Sequence, residues 1–154
     1  MKTKLNFLCI MLLILMVVGM VFACLAGFSD FKRGYEDGIN ATTTTTAEDA
    51  VICFVVLAAF VVDIYAFACF VRFILRVNHG EVFTWTNVDL LRTVGWCLVV
   101  TSIVMCSVIS FFGNNLWDTW TDGISIIIGG IFILIMAEVF SIGLKLQEEQ
   151  DLTI

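Results

Sequence analysis

The sequence predicts an all-α membrane protein: four transmembrane helices in one antiparallel bundle, a single domain over residues 1–154, with both termini cytoplasmic. Three observations carry that expectation. Of 154 residues, 60% are hydrophobic and 14% charged, with a mean hydropathy of +1.03, far more apolar than a water-soluble domain. The apolar residues fall into four long blocks separated by polar stretches, whereas barrel strands need about ten residues of alternating polarity. Proline is absent, so nothing in the chain forces a break in a long helix.

The first block covers about 5–27, behind Lys2 and Lys4. At about 1.5 Å per residue it exceeds the ~30 Å hydrocarbon core, which fits one span. Val21-Phe22-Ala23-Cys24 loosely resembles a lipoprotein cleavage box, but the bulky Phe22 fits it poorly and a retained span is the better reading. Gly19, Ala23 and Gly27 recur every fourth residue, either a small-residue seam for close helix approach or the ordinary small-residue content of membrane helices. Residues 28–49 read as a polar, solvent-exposed connection. Its Asn40-Ala41-Thr42 matches a glycosylation sequon, a triplet that arises often by chance.

The second block is expected at about 50–71, closed by Arg72 and Arg76, and the third at about 93–112. In the connection between them, Thr86 and Asp89 are three apart before an apolar run. This capping-box-like spacing places the start of the third helix there. Val88, Leu91 and Gly95 then share a face that would let the first turns lie in the membrane interface. The fourth block is expected at about 124–143, preceded by Trp117 and Trp120, which suit the headgroup region; Trp85 and Trp96 suit the opposite side.

Orientation follows from Lys and Arg, which are retained on the cytoplasmic side. With the N-terminus inside, that side holds Lys2, Lys4, Arg72, Arg76, Arg92 and Lys145, against Lys32 and Arg33 on the other. Four spans return the chain to the same side, so residues 145–154 form a short acidic cytoplasmic tail. The net charge of −6 is divided between two membrane faces and says little by itself.

Two carboxylates lie inside apolar blocks: Asp63 near the middle of the second and Glu138 in the cytoplasmic third of the fourth. A charge in hydrocarbon costs a few kcal/mol on insertion scales. Each acid should therefore face the bundle, pair, or stay protonated. Glu138 lies roughly 8 Å from the end of its block by helical rise, within reach of Arg72, Arg76 or Arg92, and a structural ion pair is expected. Asp63 has no basic residue at its depth and is expected to hydrogen-bond as the neutral acid to Thr101, Ser102 or Tyr65. The six cysteines all sit in apolar blocks without metal-ligand spacing and read as small hydrophobes. His79 is the lone histidine; no catalytic constellation, metal site or cofactor motif is recognised, and no enzyme activity is expected.

Gly80-Glu81-Val82-Phe83-Thr84, then Asn87-Val88 and Leu91-Arg92, with Ala137-Glu138-Val139-Phe140, Gly143, Leu146 and the ending Glu148-Glu149-Gln150-Asp151-Leu152-Thr153-Ile154, resemble the DUF2975 family. These are small bacterial four-helix membrane proteins of unknown function. The resemblance implies a bacterial inner membrane. Because members are often encoded beside a small helix-turn-helix regulator, it also suggests a cytoplasmic transcription regulator as partner, with no direct nucleic-acid contact by this chain. The docking face would comprise the 77–92 connection and the tail, with Phe83, Asp151, Leu152, Thr153 and Ile154 as candidates. The alternatives are a transporter or channel subunit using Asp63 and Glu138, which requires a homo-oligomer because four short helices enclose little pathway, and a purely structural membrane component.

Overall fold

The computed structural model describes residues 2–40, 47–112 and 116–151. They form four helices, α1 (Lys2–Asn40), α2 (Ala47–Asn78), α3 (Trp85–Phe112) and α4 (Leu116–Asp151), with no strand among the described residues. Residues 1–47 make one compact unit and residues 48–154 a second. Three helices are long and apolar enough to cross a membrane: Ala50–Asn78, Trp85–Phe111 and Trp120–Gln150. In α1 the described apolar stretch is the shorter Asn6–Phe22.

Every helix overruns the apolar block that seeded it, because no proline stops it and a helix propagates more easily than it nucleates. The polar connection expected over 28–49 is thus helical up to Asn40 and again from Ala47. Within it Lys32 and Glu36, four residues apart on α1, lie 3.9 Å from one another, a geometry that supports an exposed helix by a few tenths of a kcal/mol. The expected tail is likewise helical, as a continuation of α4 to Asp151. The threonine run, most of the sequon and the final three residues, Leu152, Thr153 and Ile154, lie outside the described residues.

The α2–α3 turn ends one helix and starts the next with separate devices. Gly80 takes φ +93°, the left-handed region where a Cβ is penalised. Its amide donates to the Val77 carbonyl at 3.0 Å and the Glu81 amide to Arg76 at 3.1 Å, the Schellman closure that satisfies the last carbonyls of α2. On the other side the amides of Asn87 and Val88 donate to the Thr84 carbonyl at 3.0 and 3.3 Å. Thr84, not Thr86, is therefore the residue from which α3 begins. The Thr86 assignment fails because that side chain is exposed and lies already inside the first turn.

The core of the second unit is the α3–α4 hairpin, whose backbones approach closely. Gly123, Gly130, Ala137 and Leu144 are buried at seven-residue spacing on α4, opposite Val88, Gly95 and Ser102 at the same spacing on α3. This is the repeat of a left-handed helix pair. Gly95 and Gly130 let backbone meet backbone, while at Gly123 a Cβ would collide with Cys106 Sγ. A Cβ at Gly130 would lie 2.8 Å from Val99 Cγ2 and 3.1 Å from the Gly95 carbonyl oxygen, and one at Gly95 would lie 2.7 Å from Leu134 Cγ. The face of Val88, Leu91 and Gly95, expected in the membrane interface, is instead buried against α4. Small residues at that level let the helices close over it. In α2, Ala66, Cys69, Ile74 and Val77 are buried.

Away from these seams the surface is apolar, with Phe54 and Phe111 exposed at 73% and 83% and Phe60, Val61, Ile128 and Phe132 exposed as well. A continuous apolar exterior of this kind is stable only against lipid or another apolar surface. No disulfide joins the cysteines among the described residues.

Candidate functional site

In the second unit a cluster of charged and aromatic side chains forms where the α2–α3 turn meets the last turns of α4. Asn87 holds the turn. It is fully buried, and its Nδ2 donates to the carbonyl oxygens of Glu81 and, at 3.0 Å, Val82. An amide placed one turn into α3 thereby ties the preceding loop down. Phe83, at the loop's apex, is half exposed, yet its ring sits 5.5 Å from Phe140 of α4. The ring also lies over Gly143, where a Cβ would be in ordinary contact, 3.4 Å from Phe83 Cε1. Phe140 also meets Phe73 of α2 edge-on at 6.3 Å, so one aromatic chain runs from α2 through α4 to the loop.

Three polar contacts surround that chain. Arg92 donates from Nε (3.1 Å) and Nη2 (2.8 Å) to Glu138 Oε1. Trp85 Nε1 donates to Glu148 Oε1 at 2.7 Å, joining the start of α3 to the acidic end of α4. Arg76 Nε lies 3.4 Å from Glu81. Of the three arginines within reach of Glu138, the structure selects Arg92. Arg76 is turned to its own loop, and Arg72 is exposed without an ion pair among the described residues.

The two acids of the apolar blocks are not brought together: among the described residues no hydrogen bond or ion pair joins Asp63 to Glu138. Nor does one join Asp63 to the expected Thr101, Ser102 or Tyr65. Ser102 is unavailable because it is buried in the α3–α4 seam, while Asp63 is exposed on α2. Of the tail candidates, Asp151 is the last residue of α4.

Sequence reasoning missed Trp85–Glu148, whose partners are 63 positions apart, and the structural role of Asn87. The Schellman turn was legible in principle, as a glycine shortly after a basic last turn is a helix-stop signal.

Arg72, Leu75, Arg76 and His79 of α2, with Glu81, Thr86 and Leu90, also line an open cleft of about 580 Å³. His79 Nδ1 is committed to the Leu75 carbonyl at 2.8 Å.

A family model described as a protein of unknown function, DUF2975, matches residues 36–154. That range takes in the whole second unit and the last residues of α1. No curated protein and no solved structure matches the chain.

Proposed function

Since the chain belongs to the DUF2975 family, whose function is unknown, we propose that it is a non-enzymatic inner-membrane protein that engages a soluble cytoplasmic regulator through the clustered end of its second unit. In this reading α1 is a fourth span. The Lys and Arg asymmetry puts both termini, the α2–α3 turn and the end of α4 in the cytoplasm.

The observation that carries the proposal is the length of α4. Its 36 residues extend about 54 Å against a hydrocarbon core of ~30 Å, so the helix must emerge. Its acidic last turns, with Glu148, Glu149 and Gln150 exposed, stand beside the half-exposed Phe83 and are fastened to α3 by Trp85. An apolar ring next to fixed acidic turns is a surface of the kind a protein partner recognises.

A photo-crosslinker at position 83 or 147 of the full chain, in native membranes, tests it. The expected product is the same soluble helix-turn-helix protein from both positions, in reduced yield after deletion of residues 151–154. Crosslinks to lipid and membrane proteins alone would overturn the proposal. Equal yield from the truncated chain would remove the tail and leave the 77–92 connection as the docking surface.

A further inference from the structure

We propose that the groove between α2 and α3 is a binding site for one anionic phospholipid, with its phosphodiester at Arg72 and Arg76 and an acyl chain lying along the helices below. The inference rests on the membrane reading, not on the regulator.

Two cavities carry it. One is the basic cleft described above. The second, about 450 Å³, is lined by α2 residues that include Ala58 and Val62 and by α3 residues that include Val100 and Val104. Both are lined by α2 and α3, the basic cleft toward the turn and the apolar cavity further along the two helices. Thr86, Leu90, Cys97, Thr101 and Val104 fall on one face of α3 at helical spacing. The two cavities therefore share one side of α3, polar and basic at the turn and apolar further down, with the buried Ala66 and Cys69 of α2 between them.

The near end of the apolar cavity lies within one leaflet of Arg72. Ten residues separate Val62 from Arg72, about 15 Å of helix, which is half of the ~30 Å hydrocarbon core. The charge matches as well. Arg72 and Arg76 against Glu81 leave the cleft one positive charge with His79 neutral, the complement of a phosphodiester monoanion. Arg76 is shared with Glu81 at 3.4 Å, whereas Arg72 has no ion pair among the described residues and is the stronger anchor. Guanidinium groups suit this role because their planar donors take phosphate oxygens in pairs. Arg72 directly follows an apolar block, which sets it at headgroup level once that block is in lipid.

The test is lipid retention by the full chain, extracted in neutral detergent from vesicles of equal parts phosphatidylglycerol and phosphatidylcholine with identical acyl chains, and read by native mass spectrometry. Phosphatidylglycerol should be enriched on the protein by about tenfold, the scale of charge-assisted hydrogen bonding at a partly wet site. Arg72→Gln combined with Arg76→Gln should abolish the enrichment, Arg72→Lys should retain part of it, and Val62→Phe should lower total retention by filling the chain's path.

Equal retention of the two lipids by the unmodified chain overturns the proposal without reference to any variant. So does enrichment undiminished in the double glutamine variant. Displacement of the lipid by millimolar inorganic phosphate would make this a soluble-anion site. An acidic peptide that binds the cleft when phosphatidylglycerol is not selected would make it a protein site. Either result removes the lipid.

Discussion

Glu138→Gln keeps the shape of the side chain and one acceptor oxygen for Arg92 but removes the charge. Two donors, Nε at 3.1 Å and Nη2 at 2.8 Å, converge on Oε1. Hydrogen bonds to a charged group contribute about 1.5–3 kcal/mol and neutral ones about 0.5–1.5. The side chains are 38% and 61% exposed, and a pair this open in water is worth only about 0.2–1 kcal/mol. Here, however, Glu138 stands roughly 8 Å inside its apolar block, where screening is weaker. Glu138→Gln should cost about 1 kcal/mol. Arg92→Gln should cost more, about 2 kcal/mol, because a lone Glu138 is too short to reach the interface, whereas a lone Arg92 can extend its head there. The assay is a double-mutant cycle on reversible SDS unfolding in neutral bicelles, followed by far-UV circular dichroism, with an expected coupling of about 1 kcal/mol. A coupling below about 0.3 kcal/mol, within the additivity error of independent sites, would refute the reasoning, as would Glu138→Gln being the costlier single change. Unchanged stability with loss of a proton-dependent flux in vesicles would replace the ion pair by transport.

Gly130→Ala should destabilise the second unit by about 1–3 kcal/mol, the usual cost of overpacking, because the new methyl meets Val99 at 2.8 Å; Gly129→Ala, with nothing within 4 Å, should be neutral within about 0.5 kcal/mol in the same unfolding assay. Asn87→Leu strips the Glu81 and Val82 carbonyls of their donor and should cost about 1–3 kcal/mol, visible as faster hydrogen exchange in residues 79–84; unchanged exchange would show that the Schellman turn holds the loop alone. Trp85→Phe removes the hydrogen bond to Glu148 with little change in apolar area. It should speed exchange over residues 145–151 while leaving α3 protected. Reporter fusions after Gly38 and Asn115 should be periplasmic and those after His79 and Ile154 cytoplasmic, and a cytoplasmic signal at Gly38 would sink the four-span topology.

Much of the local structure is a direct consequence of composition. Four apolar blocks without proline dictate helices, and their positions put each helix where it is found, because hydrophobic length and unbroken backbone hydrogen bonding are properties of a segment taken alone. The ends were less legible. Thr86 and Thr84 both precede the apolar run, and only the closing amides of Asn87 and Val88 choose Thr84.

The identity of the pairs belongs to tertiary structure. The sequence raised three arginines as partners for Glu138; the α3–α4 register chose Arg92, and that register was set by glycines at 95 and 130, which carry no side chain to announce it. The same register buried Val88 and Leu91, which periodicity alone could equally have laid on a membrane surface, and brought Trp85 to Glu148 across 63 positions. Helical periodicity tells which residues share a face, but which neighbour covers that face depends on how closely two backbones approach, a quantity that exists only once both helices are in place.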